Sequence, residues 1–158
     1  MLSFPYVPER IRGTLPPSLA PGTRFHWRPL VPVKVIGPGG IVLRFHRALL
    51  DSGSQDTVLP ANAAQFAGIP LLPDSGHVVR WRGTPHPLRF GRAEFQMEAG
   101  GTVLRWTSIV GFAAMGAAYP ILGLAGFLEF FDVTLLGSDR VVELVPNASF
   151  PGTVSAQP

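Results

Sequence analysis

Cysteine is absent from this chain of 158 residues. Disulfide staples and thiolate metal sites are excluded with it. Charge is scarce as well, because Asp, Glu, Lys and Arg make up only 15% of the sequence. Set beside 18 glycines and 17 prolines, that shortage suits strands and turns better than helices. Lysine is nearly missing: Lys34 is the one exception among 13 basic residues. The arginines are scattered, whereas a nucleic-acid interface gathers them with interleaved aromatics. The formal charge of +3 therefore implies no nucleic-acid partner. The densest group, Arg80, Arg82, Arg89 and Arg92, reads as the solvated face of a hairpin.

Other signatures are wanting too. His26, His46, His77 and His86 have no ligand-like spacing and no Glu-x-x-His context, so no metal is expected. Gly37-Pro38-Gly39-Gly40 lacks the lysine and spacing of a phosphate loop, and no cofactor is expected. Ser52 and Ser54 do not sit in a Gly-x-Ser-x-Gly elbow. The first 13 residues hold two prolines and three charges and form no apolar signal core, which places the chain in the cytoplasm as an expectation. Trp106 to Leu128 carries no charge and has the length of a membrane span. Gly111, Gly116, Pro120, Gly123 and Gly126 interrupt it, so two buried strands and a turn are expected instead.

What is present is a series of short extended segments. Residues 1–29 show no sustained period and read as an irregular arm. Leu30 to Ile36 reads as a strand, with Pro32 suggesting an edge or a strand start. Ile41 to Phe45 follows, continuing through Leu50 into a turn at Asp51. Ala61 to Ala67 is a short helix closed by Gly68. Hairpins are expected around Gly83-Thr84-Pro85, Gly100-Gly101 and Gly137-Ser138-Asp139. Phe127 to Phe131 suits one or two helical turns. Residues 146–158 form a polar tail, disordered or used as an interface strand.

The chemistry-bearing feature is Asp51-Ser52-Gly53-Ser54 at the end of the apolar run Ala48-Leu49-Leu50. Thr57-Val58-Leu59-Pro60 leaves the loop, and Ile121-Leu122-Gly123 and Phe131-Asp132-Val133 follow far downstream. Gly53 allows close backbone approach and leaves its N–H free to point at the carboxylate. Ser54 has a hydroxyl for the outer carboxylate oxygen. Asp56 is expected to bond within the loop, and Asp132 to be exposed or capping. Asp74 also precedes Ser-Gly but lacks the flanking apolar residues.

In this order the segments resemble the retroviral-type aspartic proteases, the retropepsins, over roughly residues 30–145. The resemblance implies an all-β fold, a closed barrel or sandwich of short strands with one or two short helices and one lobe per chain. It implies a metal-free aspartic endopeptidase acting on a peptide or protein substrate. Its catalytic residue would be Asp51, supported by Ser52, Gly53 and Ser54, with Ser52 tying two such loops together. Peptide hydrolysis by this route needs two carboxylates sharing one proton. One chain supplies a single loop, so a homodimer is implied. Ile121-Leu122-Gly123 would cross behind the loop. By chain order the flap over the substrate would be Val78 to Phe90, with Trp81, Arg82, Gly83 and Thr84 near its tip. Pro85 and Pro87 make that tip stiffer than the glycine-rich tips of the family. Two other classes remain: an inactive module of the same fold used for dimerisation or binding, and a small membrane-associated protein.

Overall fold

A computed structural model describes residues 1–156. In chain order its elements are β1 (Leu2–Pro5), β2 (Val7–Arg10), β3 (Phe25–Arg28), β4 (Leu30–Ile36), β5 (Val42–Leu50) and β6 (Val58–Pro60). Helix α1 (Ala61–Ala67) precedes β7 (Val78–Trp81), β8 (Thr84–Pro87), β9 (Arg89–Ala99) and β10 (Thr102–Ala113). Then come β11 (Ile121–Leu122), a 3-10 turn (Leu128–Phe130), β12 (Phe131–Leu136), β13 (Val141–Pro146) and β14 (Thr153–Ala156). Strands take up 53% of the chain and helix 6%, so the fold is all-β.

Six strands close into a barrel in the order β10-β6-β11-β5-β4-β9, with β9 returning to β10 along eleven residue pairs. Closure removes the open edges that a sheet of this size would otherwise present. The interior follows from alternation. Val31, Val33 and Val35 of β4 point inward, as do Ala93, Phe95 and Met97 of β9 and Leu104, Trp106, Val110 and Phe112 of β10. Trp106 is the hub. Phe95 stacks on it at 5.2 Å, and Phe127, Phe131 and Phe150 surround it at 5.4–5.8 Å. Each such pair contributes about 0.5–1.5 kcal/mol beyond burial. The uncharged stretch thus supplies most of β10 and all of β11 of the barrel, with Trp106, Val110, Phe112, Ile121, Leu122 and Phe127 buried, and among the described residues no helix is long and apolar enough to cross a membrane.

Three segments depart from expectation. The arm is not irregular throughout: β1 pairs with β13 and buries Leu2 and Phe4, and β2 pairs with β3. These strands are four residues long, too short to register as a period, and β1 and β2 each contain a proline. Pro32 lies inside β4, which is flanked on both sides by β5 and β9. The register shifts between Val31 and Val33, so the missing donor is absorbed by a bulge rather than an edge. The tail turns at Asn147, whose side chain donates to the Glu129 carbonyl at 3.1 Å, and then β14 pairs with β10 of its own chain. Residues 157–158 lie outside the described residues.

Candidate active site

Asp51 stands where β5 ends. Its N–H donates to the Leu122 carbonyl at 3.1 Å, and its carbonyl accepts the Ser54 N–H at 3.1 Å. The Gly53 N–H donates to Asp51 Oδ1 at 2.9 Å, as the glycine at this position suggests. The carboxylate is half-buried, while Ser52 and Gly53 are exposed at the tip. This local turn alone is not distinctive. Asp74 makes the same contact with the Gly76 N–H, also at 2.9 Å, in an exposed loop.

What separates Asp51 is the brace behind it. β11 lies between the two arms of the loop, parallel to β5 through Ile121 and Leu122 and antiparallel to β6 at Val58. The chain after β11 then zips onto the loop. Leu124 N–H donates to the Ser54 carbonyl at 2.9 Å, Ala125 N–H to Gln55 at 2.8 Å, and Thr57 N–H to Ala125 at 3.0 Å. Gly123 is required here for space. A Cβ on it would lie 2.2 Å from the Asp56 carbonyl oxygen and 2.8 Å from that of Ser54, both backbone. Fully buried Thr57 completes the brace, its Oγ1 accepting the Gly123 N–H at 3.2 Å. A polar, β-branched residue opening the buried run Thr57-Val58-Leu59 was the sequence signal for this role.

The hydroxyl of Ser54 does not meet the carboxylate as expected. Ser54 Oγ donates to the Asp56 carbonyl at 2.8 Å. The loop doubles back so tightly that this carbonyl is the nearer acceptor, and Asp56 enters the loop through its backbone, including a bridge to Ala125. Asp132 is exposed on β12.

β7 and β8 form the hairpin expected near the site. Arg82 and Gly83 make its two-residue turn with φ of 51° and 83°, and Trp81 pairs with Thr84 across it. Both prolines lie on β8, whose outer side carries no partner strand among the described residues. Val79 and Trp81 pack on a small cluster that includes Val58 and Ile121, the strands framing the Asp51 loop. Val78, Val79 and Arg80 face Gly53 to Asp56 across a pocket of about 220 Å³. The structure therefore brings together the Asp51 loop, the Gly123 strand and the hairpin. Sequence reasoning missed Glu9, which receives Arg28 Nε at 2.6 Å and the Tyr119 hydroxyl, because these residues are too far apart to form a motif. Among the described residues no three acidic or histidine side chains gather as a metal site. No protein-family model matches the chain, and neither does any curated protein or solved structure.

Proposed function

We propose that the chain is half of a metal-independent aspartic endopeptidase of the retropepsin type, completed by a second copy. The support is the Asp51 loop itself: a half-buried carboxylate at a strand end, held by the Gly53 amide and braced by a strand whose Gly123 admits the loop backbone. Two such loops facing each other across a two-fold axis supply the two carboxylates that one chain lacks. The ionised member takes a proton from water as the oxygen adds to the peptide carbonyl carbon. The protonated member gives its proton to the carbonyl oxygen. Collapse of the resulting gem-diol breaks the C–N bond: the member now ionised takes a proton from one hydroxyl, and the member now protonated gives its proton to the leaving nitrogen.

The alternative is an inactive binding module of the same fold. Two observations favour it: the Ser54 hydroxyl is engaged away from the carboxylate, and Trp81 is seated against the core. Asp51→Asn separates the two readings, since the substitution is nearly isosteric. The peptidase reading predicts that cleavage of a peptide library in acid falls at least about a thousandfold, equivalent to about 4 kcal/mol of barrier, with an unchanged melting temperature. Equal cleavage by both forms, or none by either, rejects it.

A further inference from the structure

A pocket of about 230 Å³ opens where Leu49 of β5 and Ile121 of β11, the strands that frame the Asp51 loop, meet the β7–β8 hairpin, and it is mixed in chemistry. Leu49 lies on β5 two residues before Asp51 and lines the pocket. Ile121, paired with Leu49, and half-buried Trp81 add apolar walls. The volume is below that of ordinary small-molecule sites and suits one side chain. Its rim is charged by Glu9, Arg28 and Arg82, and Tyr119 also lines it. Glu9 is already committed to Arg28 and Tyr119, and the two charges offset each other. Arg82 makes no ion pair among the described residues, and its guanidinium lies 5.8 Å from the centre of the Trp81 ring. It also stands in a left-handed turn position, φ 51°, where Asn or Gly is the favoured occupant. Backbone strain retained at a site rim accords with a functional side chain.

We infer that this pocket is a substrate side-chain subsite that favours an acidic residue. Arg82 sets the preference, and the β2–β3 hairpin forms the outer wall through Glu9 and Arg28. The inference rests on the peptidase reading for its place along a substrate, but not for the binding preference itself. A glutamate in the pocket lays its methylenes on Leu49, Ile121 and Trp81 and its carboxylate toward Arg82.

The test is a set of capped octapeptide pairs that differ only in glutamate or glutamine, with that position scanned along the peptide. At one position glutamate should raise kcat/KM about fivefold, the scale of a partly exposed ion pair. Arg82→Asn should bring the ratio close to one without lowering the melting temperature, because Asn suits the turn. Arg82→Lys should retain part of the preference. Arg12→Asn removes the same charge from the exposed β2–β3 loop, outside the pocket lining, and should leave the ratio intact. No preference at any position, its survival in Arg82→Asn, or its loss in Arg12→Asn would each overturn the inference. The same pairs are titrated by fluorescence polarisation against the Asp51→Asn protein, with and without Arg82→Asn. An Arg82-dependent glutamate preference in binding with no cleavage by wild type upholds the subsite and rejects the peptidase. Cleavage with no such preference does the reverse.

Discussion

Gly123 and Ser54 contribute to the Asp51 loop differently, one through space and the other through hydrogen bonding. A methyl at Gly123 collides with loop backbone rather than with a side chain that can swing away. Gly123→Ala should therefore destabilise by about 1–3 kcal/mol and displace the carboxylate. Peptidase activity should fall by more than about tenfold, on the scale of a small misplacement of reacting groups. Thermal melting and kcat/KM measured together check both effects. Ser54→Ala removes only a hydroxyl bonded to the Asp56 carbonyl. It should cost about 0.5–1.5 kcal/mol of stability and leave the upper limb of the pH–rate profile in place. A shift of that limb to higher pH would mean that the hydroxyl serves the carboxylate in the assembled enzyme. Asp51 and Gly53 were legible in the sequence because a small-residue turn after an apolar strand sets the carboxylate against a backbone N–H two residues on. The direction of the Ser54 hydroxyl was not, since it depends on how the loop brings the Asp56 carbonyl back toward it.

At the scale of elements, turn chemistry carried most of the legible information. The Gly100-Gly101 pair, the single glycines at Gly83 and Gly137 and a capping Gly68 located the turns and α1, and Gly68 does adopt φ 66°. The return strand after Gly83, however, starts at once as β8 (Thr84–Pro87) rather than at Leu88. The bulge at Pro32 and the short β1 to β3 strands escaped because both depend on partners distant in sequence. One such partnership across β4 and β9 is electrostatic. Lys34 Nζ donates to Glu98 Oε1 at 2.6 Å, and this bond, above all, holds the Glu98 carboxyl below its ordinary value. Burial opposes the shift, and the Gln96 amide adds to it. A lowered folded-state value contributes stability above the unfolded value and loses it as pH falls through the folded one. Glu98→Gln should thus lower stability at neutral pH by less than about 1 kcal/mol, the pair being partly exposed. The difference should vanish in strong acid. Melting curves of both forms across the acidic range check this; a difference that grows with acidity contradicts it.

For the molecule as a whole, the N-terminal 29 residues decide between a removable segment and a part of the fold. Leu2 and Phe4 are core residues, β1 extends the β12–β13 sheet, and the Arg140 guanidinium lies 4.0 Å above the Trp27 ring. Loss of one buried phenylalanine alone costs about 3–5 kcal/mol. Deleting residues 1–29 should therefore unfold or severely destabilise the chain, as circular dichroism and thermal melting would show. A truncated form that stays folded and cleaves faster would identify the segment as inhibitory instead.

Dependence on two Asp51 loops is tested most directly by mixing subunits. Wild-type and Asp51→Asn chains are unfolded together in equal amounts, refolded, and assayed at fixed total concentration. If each site needs both carboxylates, random pairing leaves about one quarter of the dimers active. Activity should then be about a quarter of the all-wild-type value and follow the square of the wild-type fraction. A linear dependence, with half the activity at equal mixing, would show that one chain carries a complete site and would contradict the account.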